Sequence, residues 1–153
     1  MFAILDRISA TFQRIPHDLI AIVARIGIGT TFFRSGLLKV EGWNDGTTLA
    51  LFKNEYKLPL LPPELAAYIA TAAELSLPML IFSGLLTRLS AFGLLIMTLV
   101  IQIFVYPNAF DTHGVWAVAL AYLMKYGPGR ASVDHLVFSR DGARHSSHVQ
   151  AAN

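Results

Sequence analysis

Four long apolar stretches restrict this chain to a membrane. They run from about 18 to 40, 64 to 86, 88 to 106 and 110 to 126. A hydrocarbon layer about 30 Å thick is crossed by a helix of roughly 20 such residues. Charged residues make up only 14% of the chain, against about 25% in soluble domains. The sequence therefore predicts an all-α fold, an integral membrane bundle of four spanning helices in one domain.

The distribution of basic residues predicts how this bundle is oriented. Cytoplasmic loops of membrane proteins carry an excess of Lys and Arg. One side of the bundle holds most of the basic residues outside the spans, namely Arg7, Arg14, Arg88, Arg130, Arg140 and Arg144. The opposite side holds Lys53 and Lys57, both in the first loop. The pattern predicts a multi-pass protein of the inner (cytoplasmic) membrane with both termini inside.

Two terminal segments flank the bundle domain, which is predicted over residues 17–137. Residues 1–16 form an apolar stripe at helical spacing with charged residues between its members, Leu5, Ile8, Phe12 and Ile15. This spacing predicts an amphipathic helix at the membrane interface, although an ordinary surface helix has the same pattern. Residues 138–153 are polar, which is typical of a disordered cytoplasmic tail.

The first outer loop, residues 41–63, is too long to be a simple turn. Leu49, Phe52 and Tyr56 recur within it at helical spacing. We therefore expect a short amphipathic helix on the outer surface. It would serve either as a lid over the bundle or as a connector.

Two opposite charges inside the predicted spans are candidates for a polar site, because a charge inside a bilayer is costly. Arg25 lies in the first span and Glu74 in the second, at depths that agree to about one helical turn. A buried Arg25–Glu74 pair is therefore expected, either for ligand binding or only to fix the helix register. Pro78 removes the hydrogen-bond partner of the Glu74 carbonyl. Gly29 and Gly36, near the Arg25 face, would let another helix approach closely.

Three further polar residues lie in or near the spans. Lys39 comes fourteen residues after Arg25 and lies nearly on the same helical face. Gln102, in the third span, is expected to make a polar contact near the outer side. Arg34 lies on the opposite face of the first helix, where it would reach the head groups or meet a partner subunit.

Several chemistries have no support in the sequence. The chain contains no cysteine, which excludes disulfides and thiolate chemistry. His17 and His113 are predicted on opposite sides of the membrane, so they are not expected to ligate a haem together. No metal site and no built-in cofactor are predicted. The net charge of +2 is too small to indicate a nucleic-acid partner.

Three groups of residues occur in an order that resembles a known family. The first group is Arg25, Phe32 and the run Gly36-Leu37-Leu38-Lys39. The second is Glu74 followed by Ile81-Phe82-Ser83-Gly84-Leu85-Leu86-Thr87-Arg88. The third is Gly127-Pro128-Gly129-Arg130-Ala131-Ser132-Val133-Asp134. Together they resemble the DoxX family of small four-helix bacterial membrane proteins.

The resemblance implies a polar network and a redox context. By resemblance, Arg25, Lys39, Glu74 and Arg88 occupy the polar positions of the family. Members of that family are associated with membrane oxidoreductase complexes and with quinone-coupled sulfur oxidation. A redox role in a chain without cysteine or haem would need a bound quinone or a cofactor held by a partner protein.

These observations lead to one main hypothesis and two alternatives. The main hypothesis is a non-catalytic subunit that binds a quinone or lipid and docks a membrane oxidoreductase partner. The candidate polar network is Arg25, Lys39, Glu74, Arg88 and Gln102, and the candidate apolar lining is Phe32, Met79 and Met97. No stand-alone enzyme activity is expected. A homo-oligomer is a further candidate assembly. The alternatives are a small transporter-like protein and a structural assembly factor.

Overall fold

The computed structural model describes residues 2–137, which form helices and connecting turns without any strand. This part of the chain confirms the all-α class. Its helices are α1 (Phe2–Phe12), α2 (His17–Asn44), α3 (Thr47–Leu51), α4 (Pro63–Ser83), α5 (Thr87–Val100) and α6 (Phe110–Tyr126). A wider π-helical turn extends α3 through Phe52–Tyr56, and another extends α5 through Ile101–Val105. The predicted disordered tail lies outside the described residues.

Three helices are long and apolar enough to cross a membrane. They are His17–Asn44, Pro63–Ser83 and Thr87–Val105. The fourth long helix, α6, has 17 residues, about 26 Å of helix at 1.5 Å per residue. Its outer face is also apolar, because Val115 and Val118 are 68% and 71% exposed. The chain is thus a membrane-type protein, while the fourth crossing and the orientation stay predictions.

The four long helices pack in a ring. α2 contacts α4 and α6, and α5 contacts the same two helices from the other side. The residues buried at the centre are apolar and come from all four helices: Ile28, Phe32, Ile81, Leu94, Leu120 and Leu123. Gly36 lets α2 and α4 approach closely, since a Cβ atom there would lie 3.0 Å from the backbone carbon of Glu74. The close approach expected at Gly36 is therefore observed.

The segment between α2 and α4 differs from the predicted loop. α2 continues to Asn44, beyond the expected end near residue 40. No proline interrupts this stretch, and Gly42 remains within the helix. The chain then folds back, and the Thr48 hydroxyl donates a hydrogen bond to the Lys39 carbonyl at 2.8 Å. Phe52 is buried against Ala66 and Ala67 of α4. The short helix is thus packed onto this end of the bundle.

At the other end of the bundle, the loop after α6 is tied to the turn between α4 and α5. Both carboxylate oxygens of Asp134 accept backbone hydrogen bonds, from Leu86 N at 2.8 Å and Thr87 N at 3.1 Å. These N–H groups belong to the start of α5, where a helix has unsatisfied donors. The Asp134 N–H donates to the Gly84 carbonyl at 2.9 Å. One aspartate thus caps α5 and fixes the loop after α6.

Candidate functional site

A cavity of about 550 Å³ lies between the four long helices. It lies beneath α3 and its π-helical extension, residues 47–56, which together are called the α3 segment. Its wall is mostly aliphatic and aromatic. The larger apolar side chains in that wall include Phe32, Phe52, Tyr56, Leu77, Ile96, Met97, Val100 and Trp116. The charged side chains among the lining residues are those of Lys39 and Glu74, joined there by His113. The cavity is therefore an apolar space with a small polar group on one side.

The polar group is centred on a buried ion pair between α2 and α4. Lys39 Nζ lies 2.7 Å from Glu74 Oε2, and their side chains are 8% and 3% exposed. Lys39 Nζ also donates to the Ser35 hydroxyl at 3.0 Å. Removing one partner of such a pair would leave a buried charge uncompensated. Both residues line the cavity, so a ligand there would meet the pair directly.

The predicted pairing of Glu74 with Arg25 is wrong. The predicted depths are counted inward from the start of each span, on the assumption that both spans cross a layer about 30 Å thick. α2 alone has 28 residues, about 42 Å of helix, so the counted depths do not place the two residues at one level. Gly36 of α2 lies against the backbone of Glu74 in α4. Arg25 lies eleven residues earlier, about 16 Å away along α2. Lys39, one turn beyond Gly36, therefore reaches Glu74.

Arg25 instead binds four carbonyl oxygens at the opposite end of the bundle. Nε donates to Ile81 O at 2.8 Å and Nη2 to Phe82 O at 2.6 Å. Nη1 donates to Pro128 O at 3.1 Å and to Ala131 O at 2.7 Å. Ile81 and Phe82 lie in the last turn of α4, where the helix dipole is negative and favours a cation. Arg25 therefore joins three parts of the chain and takes no part in the cavity.

Gln102 makes the polar contact expected of it and fixes the hydrogen-bonding pattern of a histidine. Gln102 Nε2 donates to the Pro107 carbonyl at 2.6 Å. Its amide oxygen then faces His113 Nδ1 at 2.7 Å, so this assignment makes Nδ1 the donor. His113 is 5% exposed and its ring lies 5.0 Å from that of Trp116. Within the described residues, no hydrogen bond is made by its Nε2, the nitrogen left to act as an acceptor.

Aromatic side chains of the α3 segment close the outer side of the cavity. The Tyr56 ring packs edge-on against Phe52, with centroids 4.8 Å apart, and against Tyr106, with centroids 5.9 Å apart. The Tyr106 hydroxyl donates a hydrogen bond to Glu55. Burial, and next the neighbouring Tyr106, raise the pKa of Tyr56 well above its ordinary value. Tyr56 therefore keeps its hydroxyl proton at any physiological pH.

Two of the remaining predicted residues, Arg88 and Met79, are not brought to this cavity. Arg88 is exposed at the other end of the bundle, in a separate pocket. Met79 points outward and is 55% exposed, whereas Phe32 and Met97 line the cavity. The polar network predicted as one site is thus divided between the two ends of the bundle.

Two lining residues went unrecognised in the sequence. Ser35 precedes Lys39 by four residues, which is the spacing of neighbours on one helical face, so this signal was present. The sequence suggests no role for His113 beyond that of a haem ligand, for which no partner histidine is predicted on the same side. Its contact with Gln102 crosses the turn between α5 and α6, and no helical period links the two positions.

The family model for DoxX matches residues 20–107, more than half of the chain. The chain belongs to the DoxX family. A Haemophilus influenzae protein, described as an uncharacterized protein, is 28% identical over 135 residues. That alignment covers 82% of this chain and 87% of the relative. No solved structure matches the chain. The segment matched by the DoxX model includes both members of the ion pair, whereas α6 and the loop after it lie beyond the match.

Proposed function

We propose that this DoxX-family protein is a four-span subunit of the bacterial inner membrane that binds a quinone in the cavity. Both termini would lie in the cytoplasm, as the basic residues predict. The protein itself would carry out no chemistry. It would hold the quinone for a membrane oxidoreductase partner. The observation that carries this proposal is the buried Lys39–Glu74 pair in the wall of an otherwise apolar cavity.

The size and lining of the cavity suit a flat, largely apolar molecule. Ligand sites typically measure about 300–1,000 Å³ and combine apolar walls with a few well-placed polar groups. The cavity has about 550 Å³, which is enough for a substituted quinone ring and the start of its tail. Aromatic lining residues such as Phe32 and Trp116 offer faces and edges for a planar ring. These properties support a quinone-like ligand over a hydrophilic solute.

The polar residues supply the hydrogen bonds that a quinone needs. A lysine ammonium has three N–H donors, and Lys39 uses one for Glu74 and one for Ser35. Its third N–H is left for a quinone carbonyl. His113 Nε2 is an acceptor for a quinol hydroxyl in the tautomer set by Gln102. The wall thus offers a donor for the oxidised ligand and an acceptor for the reduced one.

Intrinsic tryptophan fluorescence offers a direct test of quinone binding. Trp116 lines the cavity, whereas Trp43 stacks on Tyr68 with ring centroids 4.4 Å apart. The chain has two tryptophans, so a Trp43→Phe background reports on Trp116 alone. Titrating the purified full-length protein in detergent with ubiquinone-1 is expected to quench this fluorescence saturably.

Neighbouring alanines on α4 provide a matched pair of variants. Ala73 lines the cavity, whereas Ala72 is exposed on the outer face. Ala73→Leu should fill part of the cavity and weaken saturable quenching at least tenfold, while Ala72→Leu should leave it unchanged. Lys39→Met should also weaken binding through loss of the donor. Quenching that rises linearly with ubiquinone-1, equally in both alanine variants, would show partition into micelles and contradict the proposal.

A further inference from the structure

A second pocket, of about 480 Å³, lies at the end of the bundle opposite the α3 segment. It is formed by the start of α2, the turn between α4 and α5, and the loop after α6. His17, in its wall, lies 22 residues before Lys39, about 33 Å along α2. The pocket is therefore separate from the proposed quinone site.

The two arginines and two aspartates of this pocket balance in formal charge, but they differ in the partners that they already have. Arg88 and Arg130 line it, and neither belongs to the two ion pairs found in the described part of the chain. The pocket also contains two aspartates, but these are engaged by backbone N–H groups. Asp18 Oδ1 accepts from Arg130 N at 2.8 Å, and both Asp134 oxygens accept from the start of α5. The guanidinium groups therefore remain available to a ligand.

The loop after α6 also has two backbone N–H groups that are turned away from Arg25. Arg25 draws the carbonyls of Pro128 and Ala131 toward itself. The peptide bonds are trans, so the N–H of the same peptide unit points away from its carbonyl. The N–H groups of Gly129 and Ser132 therefore point away from Arg25, and both residues line the pocket. Such loops, built with left-handed glycines like Gly129 at φ +82°, form concave sites for anions.

The rim of the pocket indicates that the anion is carried by a lipid. Leu86 and Leu89 line the pocket and are 48% and 65% exposed. An apolar rim beside two arginines fits an acyl chain next to a phosphate, whereas a free phosphate would gain nothing from it. We propose that this pocket binds the phosphate head group of an anionic phospholipid. The guanidinium groups of Arg88 and Arg130 would bind the phosphate oxygens, which they match in geometry.

Lipid-dependent thermal stability of the purified full-length protein tests this proposal. The protein, stripped of lipid in detergent, is titrated with phosphatidylglycerol, with phosphatidylcholine, or with inorganic phosphate at matched concentrations. We expect Tm to rise saturably with phosphatidylglycerol and to change little with the other two. In Arg88→Gln/Arg130→Gln the midpoint of the phosphatidylglycerol titration should increase at least tenfold. Lys57→Gln is the matched control, because it removes an exposed basic residue at the opposite end of the bundle.

Three outcomes would overturn the proposal. An unchanged titration midpoint in Arg88→Gln/Arg130→Gln would place the lipid elsewhere. An equal response to phosphatidylcholine would show a general lipid effect without charge selection. A response to inorganic phosphate as large as that to phosphatidylglycerol would assign the pocket to free phosphate. If the double variant does not fold, Arg88→Gln and the conservative Arg88→Lys replace it, and only the first should lose phosphatidylglycerol binding.

Discussion

Neutralising Glu74 should reveal how strongly the buried ion pair joins α2 to α4. Glu74→Gln keeps the size of the side chain but leaves the Lys39 ammonium, 8% exposed, with the Ser35 hydroxyl as its partner. Lys39→Met leaves the buried Glu74 carboxylate without its cationic partner. Each single variant therefore buries one uncompensated charge, whereas the double variant buries none.

The geometry of the pair sets the expected magnitude. At the N–O distance of 2.7 Å, two unit charges attract by about 6 kcal/mol with an effective dielectric constant of about 20. Desolvation of the two ions offsets much of this attraction. Each single variant should therefore lower the free energy of unfolding by about 3–5 kcal/mol. The loss in the double variant should be smaller than the sum of the two single losses by about 3 kcal/mol.

These free energies of unfolding can be measured by titrating the protein in mixed micelles with sodium dodecyl sulfate. Tryptophan fluorescence reports the unfolded fraction. A solvent-exposed ion pair is the matched control. Lys53 Nζ lies 2.9 Å from Glu64 Oε1, but these side chains are 47% and 52% exposed. Exposed pairs contribute little because water and salt screen them. Glu64→Gln should therefore unfold like the wild type.

Two results would refute this reasoning. Additive losses in the double variant would show that Lys39 and Glu74 stabilise the fold independently. A loss in Glu64→Gln as large as that in Glu74→Gln would show that burial is not what makes the inner pair important.

Two further predictions concern the other end of the bundle. Gly84→Ala should lower the free energy of unfolding by more than about 1 kcal/mol, because Gly84 has φ +69° and a Cβ atom there would lie 2.4 Å from the Ser132 Cβ. Gly27→Ala, where a Cβ meets nothing within 4 Å, should be neutral or stabilising, and the same detergent titration compares the two. Arg25→Lys should cost about 2–3 kcal/mol, because a lysine cannot reproduce hydrogen bonds to four separate carbonyls. Wild-type stability of Arg25→Lys would contradict the role assigned to this arginine.

The helical membrane class follows from the sequence because it depends on composition and on the length of apolar stretches. Arg25 and Glu74 could each be recognised in the same way, as charges that a bilayer would not tolerate without a partner. Neither inference requires knowledge of which helices touch. The helical membrane class and the recognition of these two charges are therefore correct, although the predicted contact between Arg25 and Glu74 is wrong.

The partners of these charges depend on helix register, which hydropathy does not encode. The register of α2 against α4 is set by Gly36 at the backbone of Glu74, a contact between two residues far apart in sequence. The four carbonyls around Arg25 likewise have no side-chain signature, since any residue supplies a carbonyl. The π-helical turn Ile101–Val105 extends α5. It lies in an apolar stretch that does not differ in pattern from an ordinary α-helix, so the sequence does not indicate it.

The bonds of Arg25 have a consequence for the order in which the protein assembles during synthesis. Arg25 is translated 56 residues before Ile81 and 106 residues before Ala131. When α2 first enters the membrane, its guanidinium has none of its final acceptors. The arrival of α4 provides two, and the remaining two exist only after α6 has been made. α2 therefore reaches its final state only when the loop after α6 has emerged from the ribosome.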